Sequence, residues 1–245
     1  MIKKTHLFIL LLAFFSIQGR SQNTGFYWNN LDESSNRLQG KMTGETYYIS
    51  SLGNSNYFLQ KEWLSGIIEL EDGDIFKGIE VRYLAYGDEL VAYNDKNNSL
   101  FIVDKDIVKQ FSIIQLSNEG EAKERKFITL FYDGMNERER YFEELYSGTC
   151  SLLAFHHVDA VKVSPYSDRQ GIMRDTEYRL NVTYYKYSVN EGFSKMVRKK
   201  RAFLKIMPEN TKEIRKIFRQ NKIVLLDENA MIQAFKVLDK AGLLN

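Results

Sequence analysis

The strongest constraint on the fold is a recurring turn. Residues 63–70 (WLSGIIEL) and 75–83 (IFKGIEVRY) are rich in β-branched and aromatic side chains, and Glu71-Asp72-Gly73-Asp74 separates them. Asp-Gly between two such runs marks a hairpin, because glycine accepts the positive φ that a tight hairpin turn requires. Similar runs follow at 89–93, 100–103 and 108–116, with a turn at 94–98. Residues 126–132 end at Asp133-Gly134, and 140–146 end at Ser147-Gly148. Turns spaced about ten residues apart predict an antiparallel meander, sandwich or barrel-like sheet. Aromatic residues make up 13% of the chain and cluster in these runs, where wide side chains fill a pleated face.

Residues 149–163 (TCSLLAFHHVDAVKV) form a longer β-type run that Ser164-Pro165 is expected to break. A last hairpin is expected from 181–189 and 192–197, turning at Asn190-Glu191-Gly192. The period then becomes helical. Phe203, Met207, Ile214, Ile217 and Phe218 recur at helical intervals, Pro208 suits a first turn or a break, and Asn210 with Glu213 resembles a capping box. A further helix is expected from Asp227 as N-cap, through Met231, Ala234, Phe235 and Leu238, to Gly242 as its stop. The fold class expected is therefore α+β, mostly β: an antiparallel sheet followed by a C-terminal pair of amphipathic helices. The boundaries read as 1–21 signal peptide, 22–56 loosely structured segment, 57–197 β-rich domain and 198–245 helical segment packing on the sheet. Within 22–56, the stretches around Phe26, Tyr27 and Trp28 and at 46–49 are expected to add edge strands.

Lys3 and Lys4 precede an eleven-residue apolar run, 7–17 (LFILLLAFFSI), which ends near Gly19-Arg20-Ser21. This is the layout of a secretory signal, with cleavage expected near Ser21. Eleven residues are too few for a helix to cross a hydrocarbon core of about 30 Å. The expectation is export to the periplasm or cell surface and a soluble product. The one cysteine, Cys150, leaves no intramolecular disulfide to form and lies far from the signal, so no lipid attachment is expected there.

Motifs for the common chemistries are missing from the sequence: no phosphate-cradling loop with lysine, GxSxG, CxxC, HExxH or EF-hand spacing. No cofactor and no metal site is expected. Cys150 and His156 would lie about 20 Å apart on one strand, too far for a nucleophile and its base. His157 and Asp159 share a strand face with Cα atoms about 7 Å apart, compatible with an ion pair, an oriented histidine or two zinc ligands. Asp72 and Asp74 read as turn residues, and Glu143-Glu144 and Asp104 with Asp106 as surface charges.

The net charge of +2 conceals an asymmetry. Ten basic residues (Arg198, Lys199, Lys200, Arg201, Lys205, Lys212, Arg215, Lys216, Arg219, Lys222) face only Glu209 and Glu213 between 196 and 222, a net of +8. Residues 22–195 carry 19 basic and 27 acidic side chains, a net of −8. Such a run either forms a solvated helix face or meets an anionic partner, an acidic protein or lipid headgroups; nucleic acid is not expected.

Trp63, Gly66, Ile68, Leu70, Asp72-Gly73, Phe76, Gly78, Val81 and Tyr83, then Leu145-Tyr146-Ser147-Gly148 with Ser151-Leu152-Leu153, resemble a recurrent pattern in uncharacterised exported proteins of the Bacteroidota. The resemblance covers roughly 57–163 and 202–241 and includes a lysine-rich helical tail. It implies an envelope protein of a Gram-negative bacterium and carries over no catalytic residue. The function expected is a non-enzymatic envelope component that binds a ligand or a protein partner. The alternatives are a periplasmic hydrolase or metal-dependent enzyme using His157 and Asp159, and peripheral membrane association through Arg198, Lys199, Lys200, Arg201, Lys205, Arg215, Lys216 and Arg219.

Overall fold

The computed structural model describes residues 28–29, 41–48, 55–94, 98–116, 122–134, 138–168 and 171–244. The expected signal segment and most of 22–56 lie outside these residues. Two strands there, β1 (Trp28–Asn29) and β2 (Lys41–Met42), pair with each other. Of the 46–49 stretch, Thr46 closes β3 (Gly44–Thr46), which pairs with residues 101–103.

Everything else in the β portion is one open antiparallel sheet. The strands are β4 (Leu64–Leu70), β5 (Ile75–Leu84), β6 (Glu89–Asn94), β7 (Ser99–Val103), β8 (Val108–Leu116), β9 (Ala122–Tyr132), β10 (Arg138–Tyr146), β11 (Ser151–Ser167), β12 (Met173–Ser188) and β13 (Gly192–Met196). Their order is β13-β12-β11-β10-β9-β8-β4-β5-β6-β7-β3. Two meanders, β4 to β7 and β8 to β13, are thus joined where β4 pairs with β8. The Asp-Gly hairpin forms as its sequence requires: Gly73 has φ 91°, and the Asp74 amide donates to Asp72 Oδ1 at 3.0 Å.

Residues 90–92, 140–143, 152–154 and 184–186 are buried without a break, where both faces of the sheet are covered, whereas β5 largely alternates, with one informative slip. In β5 the buried residues are Phe76, then Ile79, Val81 and Tyr83, with Leu84 at the strand's end, so the phase shifts by one after Phe76. Gly78 is the extra residue. Ile67 pairs with Lys77 and Gly66 with Ile79, leaving Gly78 unpaired at φ 70°, the geometry of a bulge whose first residue is a left-handed glycine. Such a bulge bends the strand and increases its twist, which suits a sheet curling toward its own far end. The curl brings Tyr83 of β5 against Tyr141 of β10, with ring centroids 6.1 Å apart, beside the stacked pair Phe111 and Phe127 at 4.7 Å.

Three helices, rather than a pair, follow the sheet: α1 (Lys200–Ile206), α2 (Thr211–Gln220) and α3 (Glu228–Lys240). Pro208 takes the second of its two expected roles and separates α1 from α2. The capping box is not formed; Asn210 makes no side-chain cap bond, and the Thr211 hydroxyl instead donates to the Pro208 carbonyl. Asp227 does cap α3, accepting the Ala230 amide at 2.8 Å, and Gly242 ends it at φ 68°. Phe203, Phe218, Met231, Phe235 and Leu238 pack on Leu152, Ala154 and Tyr184 of β11 and β12, so the helices cover one face of this end of the sheet.

Two further expectations change. Ser164-Pro165 does not end the strand: β11 runs on to Ser167, with a register shift between Lys162 and Tyr166 that accommodates a proline lacking an amide donor. Cys150 is buried among the helices, in the bend before β11 rather than within the strand.

Candidate functional site

β10 and β11 pair only over a short stretch, through Glu143 with Ala154, Glu144 with Leu153 and, past a register shift, Tyr146 with Leu152. Two residues further along the same register Tyr141 should face His156, but these two do not pair. The turn between β5 and β6, residues 85–88, enters the gap. Its Asp88 is 2% exposed and holds a left-handed backbone at φ 57°, which aspartate tolerates better than most residues. Asp88 Oδ1 accepts the Tyr141 amide at 3.3 Å and the Tyr83 hydroxyl at 2.6 Å, and that hydroxyl also reaches the His156 carbonyl at 3.4 Å. The donor left over by the split strands is thus met by the Asp88 carboxylate, and the leftover acceptor has the Tyr83 hydroxyl beside it, sharing the one hydrogen that Asp88 mainly holds.

Lys105 completes the cluster. Its Nζ donates to Asp88 Oδ2 at 2.6 Å and to the Asp88 backbone carbonyl, and lies 4.4 Å from the Tyr141 ring centroid. Arg140 Nη1 is 4.0 Å from Asp88 Oδ2. Burial pushes the Asp88 carboxyl up against the opposing pull of Lys105, and pushes the Lys105 ammonium down against that of Asp88. Burial, reinforced by the Asp88 charge, lifts the Tyr83 and Tyr141 hydroxyls well above the usual phenol range.

Glu143, expected at the surface, is buried beside this cluster. Arg125 binds it through two bonds of 2.7 Å, and His156 Nε2 lies 2.6 Å from its Oε2. Burial alone would raise its pKa, but the bonds from Arg125 and His156 outweigh that and hold it at about 2. Glu144 points to the other face and pairs with Lys126 at 3.0 Å, 42% and 13% exposed for lysine and glutamate. Asp104 and Asp106 are exposed, as expected.

The split opens a cleft of about 320 Å³. Its walls are Tyr132 and Arg140 on one side, Phe155, His157, Val158 and Asp159 on the other, with Thr183, Tyr185 and Lys195 beyond and the 85–88 turn at the end. The Arg140 guanidinium stands 5.4 Å from the Phe155 ring centroid. Asp88 also borders a second cavity of about 400 Å³, where Glu45, Glu89, Asp104, Asp106 and Glu139 surround Lys105 and Arg138.

His157 and Asp159 both line the first cleft, and their nearest atoms are 3.9 Å apart. The His157 ring stacks on Phe155 at 5.6 Å, and Asp159 accepts a bond of 2.7 Å from Asn181. Among the described residues no group of three His, Cys, Asp or Glu side chains is placed to hold a metal ion. Burial pushes the Cys150 thiol up to about 11, and His156 is engaged with Glu143. The structure therefore does not bring Cys150 and His156 together as nucleophile and base.

The ten basic residues from Arg198 to Lys222 are all exposed, on and around α1 and α2. No helix among the described residues is long and apolar enough to cross a membrane.

The fold and the cleft define an open, helix-capped antiparallel sheet with a polar-floored aromatic recess. Comparison with protein-family models, with characterised proteins and with solved structures finds no match to this chain.

Proposed function

We propose that this is an exported, non-enzymatic component of a bacterial envelope that holds a small ligand in the cleft between β10 and β11. The single observation that carries the reading is the cleft itself. Tyr86, Tyr132, Phe155 and Tyr185 supply apolar ring surface, while Arg140, His157 and Lys195 supply polar and cationic edges. A concave, mostly apolar recess with a few polar groups converging on it is the usual form of a small-molecule site. The ligand class that fits best has a flat apolar body and an anionic group. Lys3, Lys4 and the apolar run at 7–17 support export, and the resemblance to exported Bacteroidota proteins supports an envelope setting.

The test uses 1-anilinonaphthalene-8-sulfonate, an aromatic anion of this class, titrated into the purified protein and read by fluorescence. Saturable binding at one site is expected, lost in Thr183→Phe, which fills the cleft, and weakened in Lys195→Glu. Binding unaffected by Thr183→Phe would place the probe elsewhere and remove the reading.

His157 and Asp159 in the same cleft favour a second reading, a hydrolase in which the carboxylate orients the imidazole. It requires turnover of ester or phosphate substrates by the purified protein that His157→Asn abolishes.

A further inference from the structure

On the sheet, cations are mostly committed to carboxylates: Lys105, Lys109, Arg125, Lys126, Lys162, Arg174, Arg179 and Lys186 each take part in an ion pair. The helical segment is different. Among the described residues no ion pair engages any of its ten exposed cations. In α2, Ile214 and Phe218 are buried. At about 100° per residue, Lys212, Arg215, Lys216 and Arg219 fall within one arc of about 100° on the far side of the helix. The only carboxylates between 196 and 222, Glu209 and Glu213, are exposed and leave the net of +8.

Apolar side chains flank this charge at both ends. Val197 before α1 is 45% exposed, and Val224 and Leu226 after α2 are 63% and 78% exposed. We infer that this helical face docks peripherally on anionic phospholipid headgroups, with Val197, Val224 and Leu226 entering the interface. The inference goes beyond the cleft and does not rest on it.

Three observations favour a lipid surface over an acidic protein. Protein interfaces are centred on aromatic, methionine or arginine anchors packed in a desolvated pocket. Among the described residues of 198–222 no aromatic residue or methionine is exposed, and the four arginines, Arg198, Arg201, Arg215 and Arg219, stand exposed rather than in a desolvated pocket. The cations also extend along two helices and the turns beside them rather than around a recess, which matches a flat array of headgroups. The net of −8 on 22–195 would be repelled by the same surface, so the charge asymmetry orients the molecule with its helices toward the membrane.

The experiment is co-sedimentation of the protein without its signal residues 1–21 with vesicles of phosphatidylglycerol mixed with phosphatidylcholine, against vesicles of phosphatidylcholine alone. Binding is expected only to the anionic vesicles, and it should fall steeply as salt is added. Each cation near such a surface is worth about fivefold in partitioning, so Arg215→Gln with Arg219→Gln should weaken binding about thirtyfold. Both side chains are exposed, so the fold should be unchanged by circular dichroism. Lys77→Gln with Lys123→Gln, on the sheet, should leave binding as it was. Leu226→Ser should weaken binding while preserving its salt dependence.

No binding to anionic vesicles at low salt overturns the inference, as does equal binding to phosphatidylcholine alone. Equal loss from the helix pair and the sheet pair would assign the attraction to overall charge and also overturn it. Salt-sensitive self-association that the helix pair abolishes, without vesicle binding, would make the occupant a second copy of the chain instead.

Discussion

Glu143→Gln isolates the buried charge cluster, because glutamine keeps the side chain's shape while removing the charge that both Arg125 and His156 address. The glutamate side chain is 7% exposed and the Arg125 side chain 20% exposed, so solvent screening is slight. A carboxyl held at about 2 instead of 4.5 corresponds to about 3 kcal/mol of native-state stabilisation. Removing one partner of a buried pair costs about 3–5 kcal/mol by an independent route, because the other charge is stranded. A loss of about 3 kcal/mol in a chain of this size should lower Tm by roughly 6–12 °C.

The sign with pH follows from the direction of the shift. Because the folded pKa is depressed, the stabilisation is complete above about 4.5 and is lost as pH falls toward 2. Asp88 runs the other way, since burial raises its pKa, and the raw acid profile mixes the two. Urea unfolding of parent and variant at matched pH cancels the Asp88 contribution. The gap should be full at neutral pH and should close through the acid range. A gap below about 1 kcal/mol at neutral pH, the level of an exposed pair, would refute the reasoning, as would a gap that persists unchanged in acid. Arg125→Met with Glu143→Leu should recover only part of the loss, because it strands no guanidinium but leaves the buried His156 Nε2 without its carboxylate partner.

Cys150 should resist thiol reagents in the native state, since burial holds its pKa at about 11, and should react stoichiometrically once urea unfolds the chain; rapid labelling of native protein would contradict its placement under the helices. Gly78→Ala should destabilise by about 1–2 kcal/mol, the cost of a left-handed backbone for an L-residue. No atom lies within 4 Å of the Cβ it would gain, so the cost is purely conformational, and an unchanged urea midpoint would rule out the bulge.

The strands were legible where β-branched and aromatic runs and their turn residues act locally; β8 begins and ends where the sequence places it. The first half of β12 was not. Its residues 173–180 are mostly exposed or half-buried, so no alternation marks them, and they are strand only because β11 lies beside them through the pairs Lys162 with Thr176 and Asp159 with Arg179. Glu143 was misread although a signal was present. Adjacent residues of a strand point to opposite faces, so Glu143 and Glu144 cannot both face solvent where helices or core cover one side. One of the two had to be buried and paired.

Asp88 left no such trace, because Tyr86-Gly87-Asp88-Glu89 reads as an ordinary turn and its partners lie 17 and 53 residues away, at Lys105 and Tyr141. Its position has a consequence for the site. A buried ion pair is a poor source of net stability, because desolvation consumes most of the attraction. What Asp88 and Tyr83 supply here is an alternative set of partners for the Tyr141 amide and the His156 carbonyl. In the register set by Glu143 with Ala154, Phe142 with Phe155 and Tyr141 with His156 are the next two positions, and neither pairs. Arg140 and Phe155 stand on the two sides of that seam. The buried aspartate in the β5–β6 turn thus occupies the seam where the two strands part, at the end of the cleft that their parting borders.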